Sequence, residues 1–126
     1  MNTLIRKNIN KVIRKKIENF SSSGKLHYHP EHLFYYTDGV KAVMSLFRED
    51  HLFCDIAAQA RELSGNYGFI LIRLYLTESD KYWIEYNTKS GETLEITRIY
   101  ATLPMDKGIS LCLYFIGRTL LLPTEY

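Results

Sequence analysis

Three imidazoles stand within six residues, in His27-Tyr28-His29-Pro30-Glu31-His32. On an extended backbone His27 and His29 face one way, and a turn at Pro30 returns His32 toward them. Three neutral imidazoles around an open fourth position are the donor set of a catalytic zinc, so a small metal-dependent enzyme is one function to consider. No standard metal motif has this spacing, and no distant fourth ligand is apparent. The competing reading, a partly exposed polar loop, is preferred, and no cofactor is expected.

A second candidate is Thr37-Asp38-Gly39, which could be an active-site turn but is better explained as a helix start, where a side-chain oxygen accepts an orphan backbone N–H. A third is an acid–base cluster of Tyr36, His51, Asp55 and Glu125. Acid–base work needs hydrogen-bond reach and a shifted pKa. A buried, structural Asp55 bound to tyrosine hydroxyls or backbone N–H groups is the simpler expectation. No glycine-rich phosphate loop, Ser–His–Asp order or Cys-x-x-Cys pair occurs. Catalysis is therefore not the leading reading.

Binding chemistry is better represented. Residues 1–20 carry Arg6, Lys7, Lys11, Arg14, Lys15 and Lys16 against Glu18 alone, and the remaining chain is mildly acidic, for a net charge of +2. Ile5, Ile9, Val12, Ile13, Ile17 and Phe20 recur at helical spacing opposite those cations. The apolar face can dock on the body or on a second subunit. The helix can also lie on an anionic membrane, or meet nucleic-acid phosphates through Lys7, Lys11, Arg14 and Lys15. Docking is the default, with the cations as a solvated face.

The elements that would hold these groups follow from periodicity. The 126 residues are the size of one domain, and 46% hydrophobic against 24% charged residues excludes disorder. Cys54 and Cys112 cannot form a disulfide framework and point to a reducing cytoplasm. No apolar run is long enough to span a bilayer. Residues 1–20 read as the basic helix, 25–36 as a loop or short extended segment with Pro30 blocking a helix, and 37–63 as two helices, roughly 38–49 and 51–63. Thr37 or Asp38 would cap the first and Asp50 the second.

From Tyr67 the period becomes two, which places strands at 69–77, 81–88, 93–101, 109–116 and 119–122. Lys89-Ser90-Gly91-Glu92 is a tight hairpin. Helices followed by closely spaced strands predict an α+β domain over 1–126, with four or five antiparallel strands in 67–122 packed on helices from the amino-terminal half. Ile70, Ile72, Leu74 and Leu76 face those helices. The outer face then carries Arg73, Tyr75, Trp83, Glu85, Glu95, Thr97, Ser110, Cys112 and Tyr114. Arg73, Tyr75, Trp83 and Tyr114 are types enriched in protein-binding hot spots. Stacking aromatics would also serve RNA, but Glu85 and Glu95 would repel phosphate. Cross-strand support of the sheet, or cover by the basic helix, would occupy the same residues without a partner.

Tyr36-Thr37-Asp38-Gly39-Val40 and the terminal Leu122-Pro123-Thr124-Glu125-Tyr126 resemble the paired motifs of an uncharacterised domain family of bacteria, phages and other mobile elements, marked by Tyr-Thr-Asp-Gly-Val and a final Leu-Pro-Ser-Glu-Tyr. Asp55-Ile56-Ala57-Ala58-Gln59 and the stretch Tyr100–Met105 are similar to its further segments, so the resemblance covers roughly residues 17–126. It implies a small cytosolic accessory protein. With the residue chemistry, it predicts a non-catalytic protein that binds another protein or a second copy.

Overall fold

The computed structural model describes residues 25–100 and 102–126. The expected helix 3–20, with Lys7, Lys11, Arg14 and Lys15, lies outside them. Seven strands and two helices follow in chain order. They are β1 (Leu26–His29), β2 (Phe34–Thr37), α1 (Asp38–Phe47), α2 (Asp50–Leu63), β3 (Phe69–Leu76), β4 (Tyr82–Thr88), β5 (Thr93–Ile99), β6 (Ser110–Ile116) and β7 (Thr119–Leu121). A 3₁₀ turn, Pro123–Glu125, closes the chain.

The fold is α+β, but it departs from expectation in its sheet. One seven-stranded sheet runs in the order β1-β2-β7-β6-β3-β4-β5. Segment 25–36 is a hairpin rather than a loop or one short extended segment, with Tyr28 opposite Tyr35 and His27 opposite Tyr36. Aromatic side chains favour the pleated backbone, and Pro30 falls in the turn, where its missing N–H breaks no ladder. Leu33 takes the left-handed conformation that completes this turn, and its N–H donates to the His29 carbonyl at 2.8 Å. The helices therefore sit between β2 and β3 instead of preceding every strand. The sheet is also mixed, because β2 pairs with β7 in parallel. Parallel neighbours need a long crossover, and here it comprises everything from α1 to β6.

Thr37 is the helix cap, accepting the Val40 N–H through its hydroxyl at 3.3 Å. Arg48 ends α1 in the left-handed conformation with no glycine to mark it, so the helix stops two residues earlier than its periodicity suggests. Asp50 is the first residue of α2, not its cap; Glu49 holds the cap position without a side-chain hydrogen bond. Val40, Val43, Met44 and Phe47 of α1 and Phe53, Ile56, Ala57 and Ala60 of α2 pack with Ile70, Ile72, Leu74, Leu111, Leu113 and Phe115 in one core. Leu103 and Met105 close one end of it, held by the Tyr82 hydroxyl, which donates to the Leu103 carbonyl at 2.7 Å.

The chain end is fastened to α1 by a buried carboxylate. Glu125 is only 6% exposed. Its Oε1 accepts from the Thr37 hydroxyl at 2.5 Å and from the Leu122 N–H at 3.0 Å, and its Oε2 accepts from the Gly39 N–H at 3.1 Å. An anion at a helix N-terminus meets unpaired N–H groups and the positive end of the helix dipole. Position 39 must be glycine for the carboxylate to fit. A Cβ there would lie 2.6 Å from Glu125 Oε1 and 2.6 Å from Leu122 Cδ1.

Gly39→Ala should therefore cost about 1–3 kcal/mol. Glu125→Ala should cost about 2–4 kcal/mol, because it strands buried donors. Combined, the two should cost less than their sum, since the carboxylate clash disappears with the carboxylate. Urea unfolding of the two single variants and the double variant measures all three values.

Candidate functional site

The core takes only one face of the sheet. Alternate residues of β3, β4 and β6 that point the other way form transverse rows fixed by register. One row runs Ser110, Tyr75, Trp83, Arg98, and the next Cys112, Arg73, Glu85, Ile96. Arg73 organises both. Its Nη1 donates to Glu85 at 2.8 Å, its Nε donates to the Ser110 hydroxyl at 3.2 Å, and its guanidinium lies 4.3 Å from the Tyr75 ring centre. Burial raises the Tyr75 phenol above its ordinary range, and the charge of Glu85 and a hydrogen bond to it add to this, against the opposing Arg73. Burial likewise raises the Cys112 thiol, again opposed by Arg73.

Tyr114 stands in a separate aromatic group, 4.7 Å from Phe69 and 5.6 Å from Tyr126 between ring centres. Lys89 reaches over Phe69 from the β4–β5 hairpin. Tyr126 and Ile96 remain 71% and 51% exposed. The four proposed binding residues thus share one face, with Arg73, Tyr75 and Trp83 contiguous and Tyr114 at the neighbouring aromatic group.

Glu95 and Thr97 do not share that face. A register shift between Tyr86 and Asn87 places Glu95 opposite Tyr86 and Thr97 opposite Ile84, both core-side positions. The extra residue of a bulge inverts the alternation of everything beyond it. Ile96 and Arg98 take the outer positions instead. Glu95 accepts from the Gln59 amide of α2. Tyr86, buried beside it, has its phenol raised well above 10.0, first by burial and then by the charges of Glu95 and Asp55. Asp55 is exposed rather than buried, because it occupies the outward side of α2 between buried Cys54 and Ile56.

The other chemistry divides rather than converges. His27 Nε2 lies 2.6 Å from Asp38 Oδ1, and its ring stacks on Tyr36. His29 Nε2 faces the Cys54 sulfur at 3.6 Å, while its Nδ1 accepts the His32 backbone N–H at 3.4 Å. Among the described residues no three His, Cys, Asp or Glu side chains gather as metal ligands. Glu125 joins Thr37 and Gly39, whereas His51 and Asp55 are both exposed on α2. Neither the Cys54–His29 contact nor the outward turn of Ile96 and Arg98 was visible in the sequence; each depends on distant strand register.

These features define an α+β domain with helices on one side of a mixed sheet and an aromatic, arginine-centred reverse side. The chain belongs to a family described as "Family of unknown function (DUF6876)", which matches residues 11–126. Comparison with curated proteins and with solved structures gave no match.

The raised Tyr86 phenol has a consequence at high pH. The unfolded chain ionises its tyrosine near 10.0, and the folded chain does so only at higher pH, so stability is lost as pH climbs above that value. Tyr86→Phe should keep neutral stability within about 1 kcal/mol and flatten this loss. Unfolding midpoints measured across the alkaline range check the difference.

Proposed function

We propose that this domain acts by binding rather than by catalysis, and that its recognition surface for another protein is the outer sheet face around Arg73, Tyr75 and Trp83. The observation that carries the reading is the Arg73 arrangement. A guanidinium stacked on Tyr75 and tied to Glu85 and Ser110 is held rigid before any partner arrives. Arginine and aromatic side chains already immobilised lose little entropy on binding, which is what makes such residues anchors.

The Arg73–Glu85 pair also cancels its own charge, which leaves Arg98 and Lys89 at the β4–β5 margin as the cations of this face, fewer than a phosphate backbone track needs. This favours a protein surface over RNA stacked on the sheet. Neither Cys54 nor Cys112 is engaged in a disulfide among the described residues, which supports a reducing setting.

A photoreactive residue introduced at Leu71 or Ile96, on the outer face, should give discrete crosslinks to protein in cells. The same residue at Glu62, exposed on α2, should not. Arg73→Ala should abolish the crosslinks from Leu71. Equal yields from both faces, or crosslinks to nucleic acid alone, would contradict the proposal.

A further inference from the structure

We infer that the occupant of this face is a second copy of the same chain, packed sheet against sheet; the inference rests on the reading of the face as a recognition surface. Three features carry it.

The first is area. Six interstrand steps of about 4.8 Å, crossed with strands of about 20 Å, give roughly 600 Å² in projection. Side-chain relief brings this near the ~800 Å² per partner that a stable dimer buries.

The second is composition. Leu71, Tyr75, Trp83, Cys112, Tyr114 and Ile116 are all half-buried outer-face residues, and Ile96 beside them is more than half exposed. A cluster of partly exposed apolar side chains with polar residues among them is the mark of an interaction surface. Two aligned sheets remove such a patch by interdigitating at a separation of about 10 Å.

The third is charge. Arg73 and Glu85 occupy the middle of the face as a closed pair. A strongly charged partner finds nothing complementary at that centre, whereas an identical face brings an identical neutral pair to it, with Arg98 confined to the β5 margin. A two-fold axis near Arg73 sets each guanidinium among the partner's aromatic rings. Each Arg73 has donors beyond those engaged by Glu85 and Ser110 to use against them.

Trp83 is the single tryptophan of the chain and lies on the face itself, so its emission reports cover directly. The experiment follows mass by sedimentation and Trp83 emission across a dilution series of the full chain. A dimer whose dissociation shifts Trp83 emission to longer wavelength, with Leu71→Glu weakening it about tenfold or more and Lys41→Glu on α1 leaving it unchanged, is the expected result.

A monomer with solvent-exposed Trp83 at every concentration overturns the second copy while leaving the face open to a different protein. A monomer with shielded Trp83 at every concentration, exposed on removal of residues 1–24, overturns both the second copy and the binding face. A dimer that is indifferent to Leu71→Glu, with unchanged emission, places the contact elsewhere and also overturns the inference.

Discussion

The buried carboxylate of Glu125 is the constraint on which the arrangement of the chain depends. A charge in that position is tolerable only with donors around it, and it has three, from Thr37, Gly39 and Leu122. They come from both ends of the described fold. Thr37 ends β2 and caps α1, Gly39 opens the helix, and Leu122 follows β7. The carboxylate therefore holds β2 beside β7, the one parallel pairing among the described residues. It also sets the start of the helix whose apolar stripe enters the core. The two sequence motifs that mark the chain, around residues 36–40 and 122–126, are the two halves of this contact, which accounts for both without any catalysis.

With the ends joined, the sheet has two unlike faces. The core face is sealed by α1 and α2, and the other carries arginine and aromatic groups held by cross-strand contacts. The bulge at Asn87 sharpens that difference. It turns Glu95 inward to Gln59 and brings Ile96 and Arg98 out, so the outer face loses a carboxylate and gains an aliphatic and a cation. Asn87 itself, at the shift, keeps a buried carboxamide oxygen with no hydrogen-bond partner among the described residues. The histidines lie at the other end of the sheet and brace β1, His27 against Asp38 and His29 against Cys54.

Much of this was legible in the residue pattern. Alternation along 70–76 and 111–115 identified the core side of the sheet, the three- and four-residue spacing of Val40, Val43, Met44 and Phe47 identified α1, and Gly91 marked the hairpin. Features that depend on distant partners were not legible. The aromatic residues of 25–36 allow an extended backbone locally, but their place in the sheet depends on the edge that β7 offers β2, which sequence spacing does not reveal. The bulge at Asn87 has no sequence signature of its own, yet it decides the face of every later β5 residue. Glu125 read as one member of an acid–base group with Tyr36, His51 and Asp55. Its actual partners are backbone N–H groups and a threonine hydroxyl, which sequence spacing does not disclose.

The central claim is that the arginine–aromatic side of the sheet is not covered by the chain that makes it. Methyl NOE spectroscopy on the full chain, at a concentration dilute enough to exclude association, tests this most directly. The account predicts no intrachain NOEs from Leu71, Ile96 or Ile116 to Ile5, Ile9, Ile13 or Ile17. A dense set of such NOEs would mean that the chain seals its own sheet, and would contradict it.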